Sequence, residues 1–161
     1  MDLNVIVFTD GSFIKTKNKL LCGYGIYFPN GELENIAEPF RLEPLTNQRA
    51  ELYAIYKALE MITKKLVFKT VQIYTDSEYS MKSLTVWINS WEKNGWKTAG
   101  KKPVKNLDII LKINEILKKY PDQITFYHVL SHTGKEDFLS TSNDIVDKLA
   151  KRGAEKSIGN K

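Results

Sequence analysis

The chain has 161 residues, 42% of them hydrophobic and 27% charged, with 24 Lys and Arg against 19 Asp and Glu for a net charge of +5. At about 100–200 residues per domain this is one domain with room for a real core, and no run of about 18 apolar residues is present to cross a membrane. A single cysteine, Cys22, excludes an intrachain disulfide, and with only two His it argues against a zinc site.

Taken in chain order, Val5–Phe8 is an apolar, β-rich run that stops at Thr9-Asp10-Gly11, which predicts a buried strand ending in a turn. Leu20–Phe28 and Glu32–Leu42 predict two further strands, with Pro29-Asn30-Gly31 as the hairpin turn between them. Thr46 is placed to cap a helix, Leu45 to staple onto Ala50, and Ala54, Ile55, Ala58, Leu59 and Ile62 form its apolar stripe. Val71–Thr75 predicts a strand that stops at Asp76. Glu78–Asn94 reads as a helix with Trp87 and Trp91 one turn apart. Gly95–Val104 is a polar, Lys-rich loop. Asn106–Tyr120 predicts a helix with an apolar stripe at Leu107, Ile110, Leu111, Asn114 and Leu117. Gln123–Leu130 is the fifth strand and Ser131–Ser140 a loop. Thr141 or Ser142 opens the last helix, with Asp144 in its first turn. Residues 1–156 are expected to form one domain, and 157–161 a frayed tail. The N-terminus has no basic segment followed by a long apolar one, so it is not a signal peptide. Together with the lone cysteine this points to an intracellular, cytoplasmic chain, with a nuclear or organellar place left open. The segment before Val5 is too short to hold a further domain.

Four acids stand out. Val7–Ser12 (VFTDGS) is echoed by Ile73–Glu78 (IYTDSE), so two apolar strands each deliver an Asp, Asp10 and Asp76, at the end where α/β sheets place their ligands. Taken singly, each is an ordinary turn or cap residue after a strand; the echo argues for a shared role. Glu51 lies on the stripe of Ala54, Ile55, Ala58 and Ile62, which points a carboxylate at the sheet. Such a charge needs a cation or hydrogen bonds, and a core-edge Arg or Lys would also serve. Asp147 shares a stripe with Asn143, Ala150 and Ala154, although taken alone it reads better as a solvated helix position. Hard oxygen donors of this kind suit Mg²⁺ or Mn²⁺. His132, in the loop before the last helix, is a candidate acid, base or proton shuttle; His128, at a strand end, reads as structural. Lys93–Lys105 holds five lysines and no acid, so the whole basic excess is concentrated there, as a solvated loop or as a surface for a phosphate backbone.

These segments resemble ribonuclease H of type 1. The matching runs are FTDGS at Phe8–Ser12, TNQRAEL at Thr46–Leu52, YTDSEY at Tyr74–Tyr79, SHTG at Ser131–Gly134 and NDIVDKLA at Asn143–Ala150. WINSWEKNGWKTAGKKPVKN at Trp87–Asn106 looks like the basic protrusion of the cellular enzymes. Any one match is weak; six in family order are specific. The resemblance implies an α/β, RNase H-like fold, a mixed five-stranded sheet with three antiparallel then two parallel strands and helices on both faces. It implies endonucleolytic hydrolysis of the RNA strand of RNA–DNA hybrids by a two-metal-ion mechanism, leaving 5′-phosphate and 3′-hydroxyl ends. Carried over by position, Asp10, Glu51, Asp76 and Asp147 are the catalytic, metal-binding acids for two Mg²⁺ (Mn²⁺ is an alternative), and His132 assists catalysis. Gly11, Ser12, Asn47 and Gln48 would meet the RNA strand, and Trp87, Thr46 and Asn106 the DNA strand. Lys97, Lys101, Lys102 and Lys105 would meet the hybrid backbone. The partner expected is an RNA–DNA hybrid, bound by a monomer, with no membrane. The loop between His132 and Asp147 is longer than in common members, Glu78 replaces a neutral residue, and Pro44 a basic one. An inactive binding module of the same fold, or the nuclease domain of a polyprotein, are the alternatives.

Overall fold

The computed structural model describes residues 2–131 and 133–159. Its sheet has five strands in the order β3-β2-β1-β4-β5: β1 (Asn4–Lys15), β2 (Leu20–Tyr27), β3 (Ile36–Pro39), β4 (Thr70–Thr75) and β5 (Ile124–His128). β1 pairs antiparallel with β2, and β2 with β3, whereas β4 pairs parallel with β1 and with β5. The helices are α1 (Asn47–Lys65), α2 (Glu78–Lys82), α3 (Ile88–Lys93), α4 (Leu107–Lys119) and α5 (Phe138–Gly159). The expected mixed sheet with helices on both faces is the one observed.

Strand alternation explains the two layers. Val5 and Val7 of β1 point into the large core with Leu52, Ile55, Leu59 and Ile62 of α1, all fully buried. Each such side chain contributes about 1.5–3 kcal/mol by leaving water. Phe8 points the other way, onto Val146 of α5. Between α5 and β2 the approach is as close as a backbone allows. A Cβ on Gly23 would lie 2.1 Å from Ala154 N, and one on Gly25 would lie 2.6 Å from Ala150 N. Glycine is needed at both places because helix backbone occupies the space of a side chain.

Several elements differ from the sequence reading. β1 does not end at Asp10-Gly11. Only its parallel partner ends there, the last β1–β4 pair being Thr9 with Thr75, while antiparallel pairing to β2 continues to Lys15. β3 is Ile36–Pro39, shorter than Glu32–Leu42, because the preceding residues serve the turn and the neighbouring edge. Gly31 N donates to Phe28 O (3.0 Å), Asn35 Oδ1 accepts from Phe28 N, and Glu32 Oε2 accepts from Ile6 N where β1 has no β2 partner. The expected helix over 78–94 is interrupted by a π turn at Ser83–Trp87. Thr85 Oγ1 donates to Met81 O (2.5 Å), the carbonyl that its own N–H would use in a regular helix. On α4 the buried face is Ile109, Ile110 and Ile113, and Leu111 is exposed. α5 begins at Phe138, ahead of Thr141, since Asp137 Oδ1 accepts from Ser140 N (2.8 Å) and caps it. Asp144 is therefore an exposed second-turn residue. α5 continues through Gly159, past Ser157, the expected start of the tail. No described helix is long and apolar enough to cross a membrane.

Candidate active site

The split between β1 and β4 is where the acids meet. β4 ends at Thr75, so Asp76 leaves the sheet just as β1 carries Asp10 past it. Ser77 then caps α2, its Oγ accepting from Ser80 N (3.1 Å). On the other side Thr46 Oγ1 accepts from Arg49 N (3.1 Å), which starts α1 and brings Glu51 over the strand in its second turn. Gly11 has no side chain because a Cβ would lie 2.6 Å from Glu51 N. Its own N–H donates to Glu51 Oε1 (2.5 Å) and to Asp10 Oδ1 (2.9 Å).

Asp10 and Glu51 are buried, Asp76 is half-buried, and one carboxylate oxygen of each lies within 4.8 Å of the others. The cleft they line has a volume of about 410 Å³ and is walled by Asn47, Gln48, Tyr79, Ser131 and Asp147 among others. Burial, followed by repulsion from Glu51 and Asp76, pushes the Asp10 carboxyl up to about 12. Burial, followed by repulsion from Asp76, pushes Glu51 up to about 8. Asp10 Oδ2 is buried without a hydrogen-bond partner. All-oxygen donors, crowded like charges and an orphaned carboxylate oxygen fit a hard divalent cation, which would relieve all three.

Of the residues singled out in the sequence, the structure brings Asp10, Glu51 and Asp76 together. Asp147 lines the same cleft but stands outside that triad, its Oδ2 receiving Lys151 Nζ (3.1 Å). Gly11, Asn47 and Gln48 are on the cleft wall. Ser12 is not; it is buried in β1, paired with Gly23 and facing α5. His132 lies outside the described residues. Trp87 is 38% exposed, not core, because the π turn rotates it outward while Leu84 and Ile88 stay buried. Trp96 packs on the core and its N–H donates to Trp91 O (2.7 Å), anchoring the basic loop. Lys97, Lys101, Lys102 and Lys105 are all exposed on that loop and are not among the residues that line the acidic cleft.

Near Asp76, Asn143 carries more than the sequence reading gave it, and His128 takes the structural role expected of it. Asn143 is 2% exposed, and its Nδ2 donates to Asp76 Oδ2 (3.4 Å) while its Oδ1 has no partner. The signal was its place one turn before Asp147. His128 Nε2 bonds the carbonyl of Asp76 (3.2 Å), so this ring braces the Asp76 turn from β5.

A family model described as RNase H matches residues 2–155. The chain belongs to the RNase H family. Within it, the chain is 37% identical to a ribonuclease H of Schizosaccharomyces pombe over 150 residues, covering 92% of this chain and 52% of that protein. It thus spans about half the length of that relative. It is 35% identical to a ribonuclease H of Afipia carboxidovorans over 150 residues, 93% of this chain and 92% of the other. Among solved structures, the PFV RNase H domain superposes with a TM-score of 0.79 at 28% identity, over 97% of each chain. The foamy viral protease-reverse transcriptase, solved with an RNA/DNA hybrid, matches at a TM-score of 0.78 and 25% identity, over 94% of this chain and 20% of that one.

Proposed function

We propose that the protein is an endoribonuclease that hydrolyses the RNA strand of RNA–DNA hybrids, leaving 5′-phosphate and 3′-hydroxyl ends. The observation that carries this reading is the convergence of Asp10, Glu51 and Asp76 in a cleft walled by Asn47 and Gln48. Membership of the RNase H family, whose members use divalent metals, and the hybrid bound by the foamy viral relative support it. Asp10, Glu51, Asp76 and Asp147 would hold two Mg²⁺, with Mn²⁺ as an alternative. Bound there, the ions supply charge neutralisation for an in-line phosphoryl displacement and an activated water. Asn143 bonds the Asp76 carboxylate, and His128 braces the main-chain carbonyl of the same residue. Asn47 and Gln48 each offer a donor and an acceptor, which is what a test for the RNA 2′-hydroxyl requires. Gly11 completes the RNA-strand side, whereas Ser12 faces α5 and takes no part in it. Trp87, Thr46 and Asn106 take the DNA strand, and His132 assists proton transfer or product release.

An end-labelled hybrid, with duplex RNA and duplex DNA as controls, tests the reading. Cutting of the hybrid's RNA strand alone, dependent on Mg²⁺ and stopped by chelator, is expected. Binding without metal-dependent cutting would leave only an inactive module of this fold.

The basic loop makes a separate prediction. Neutralising Lys97, Lys101, Lys102 and Lys105 will raise KM for hybrid and lower the salt slope of binding by up to about 3–4, since each phosphate contact contributes about 0.9 to the slope. An unchanged slope in a filter-binding titration would reduce these lysines to a solvated loop.

A further inference from the structure

Tyr79 stands where three parts of the molecule meet. It is the second residue of α2, three positions after Asp76, and it is one of the residues that line the acidic cleft. Its hydroxyl oxygen accepts a hydrogen bond from Asn106 Nδ2 (2.9 Å). Its ring stands edge-on to Trp87, with centroids 6.2 Å apart and planes at 62°. Asn106 itself is unusual. It precedes α4 in the left-handed region (φ 62°) and makes no side-chain cap bond to that helix, so its amide is committed to Tyr79. Two residues on, both oxygens of Asp108 take bonds from the buried Arg49 guanidinium of α1, each 2.8 Å long. The start of α4 is therefore pinned at two points, one to α1 through Arg49 and one to the cleft wall through Tyr79.

We propose that Tyr79 is a positioning residue that holds Asn106 and Trp87 at a fixed offset from the carboxylates. It thereby keeps the groove for the DNA strand in register with the cleft that receives the RNA strand. The inference rests on the proposed reading of Trp87 and Asn106 as DNA-strand contacts. The physical reason is orientation. An Asn amide has two N–H donors and one carbonyl. With one N–H fixed on the Tyr79 oxygen, the other and the carbonyl point in set directions; without it the amide is free to turn. Trp87 closes the π turn, where regular helical bonding is interrupted, so ring contacts to Tyr79 and Trp91 set its plane. The pair that would grip one strand is thus tied through one phenol to the wall of the cleft that would cut the other.

Tyr79→Phe removes the hydroxyl and keeps the ring. Measured on hybrid with Mg²⁺ against the wild type, it is expected to raise KM about threefold to tenfold, the worth of one hydrogen bond, while kcat and the melting temperature stay unchanged. Asn106→Ala should raise KM by a similar factor, and the double variant should be no worse than Asn106→Ala alone, because the two act as one unit. Tyr79→Leu removes the ring contact as well, and should spread the cut positions on an end-labelled hybrid of defined sequence. An unchanged KM in Tyr79→Phe, or a double variant whose two effects multiply, would overturn the proposal and leave Tyr79 as packing. A wild-type chain that neither binds nor cuts hybrid is a different result, and would remove the reading on which the proposal rests.

Discussion

Asp10→Asn is expected to abolish metal-dependent cleavage, by at least about a thousandfold or roughly 4 kcal/mol of transition-state stabilisation, and yet to make the ion-free protein more stable. Asp10 lies at the centre of the cluster, with one oxygen bonded by Gly11 N and the other without a partner. Its carboxyl is pushed from 3.8 up to about 12, first by burial and then by Glu51 and Asp76. Glu51 is pushed from 4.5 to about 8. A raised carboxyl pKa means that the folded chain keeps protons the unfolded chain has released. Stability of the ion-free protein therefore falls as pH rises above the ordinary carboxylate range toward about 8. Asn at position 10 is neutral without holding a proton, so the variant escapes that part of the pH penalty. In chelator the variant should melt higher than the wild type by roughly 2–8 °C, the equivalent of about 1–2 kcal/mol in a chain of this size. The gap should widen as pH is raised from about 5 to about 8. Added Mg²⁺ or Mn²⁺ should raise the melting temperature of the wild type and have little effect on the variant. Retained cutting, or a lower melting temperature in chelator across that pH range, would show that Asp10 is not at the centre of a cation site.

The second large effect concerns packing. Gly23→Ala places a methyl 2.1 Å from Ala154 N and 2.4 Å from the carbonyl carbon of Gly153, both rigid helix backbone. No side chain can swing aside, so α5 must lift from the sheet. Overfilling of a packed core costs about 1–3 kcal/mol and more where backbone must move. A loss of about 3 kcal/mol or more in urea unfolding is expected. α5 also carries Asn143 and Asp147, so the surviving folded fraction should need more Mg²⁺ for half-maximal cleavage. Gly100→Ala is the control, since its Cβ would meet only Thr98 Oγ1 at 3.9 Å. Equal stability of the two variants would mean that the α5–β2 approach is looser than described.

The elements that the sequence displayed clearly were those whose cause is local. The apolar stripe of α1, its Thr46 cap and the apolar run of β4 depend on neighbours in the chain, and all three are present. What the sequence did not display depends on partners far away. The continuation of β1 past Asp10-Gly11 is decided by β2, not by the turn propensity of Asp-Gly. The early start of α5 comes from Asp137, which sits among loop residues. The π turn leaves no periodicity signal, because one inserted residue shifts the phase of a stripe that otherwise continues from Leu84 to Ile88. At the site, the Asp10–Asp76 echo was legible because both residues follow similar strands, and Glu51 because a buried stripe carried an acid. Asn143 was visible only as a companion of Asp147, and the bonds of Tyr79 and His128 join elements that the sequence keeps far apart.

The seat of α5 also sets an order of assembly. This helix follows every other described element in the chain, yet it packs on β1, β2 and β3, which come first. During synthesis, Asp10, Glu51, Asp76 and the whole lysine loop emerge well before Asn143 and Asp147. A chain that has not yet reached α5 therefore carries the exposed lysine loop while its cleft still lacks one wall. The glycine face of β2 waits bare until α5 arrives, so the seating of α5 and completion of the cleft are one event.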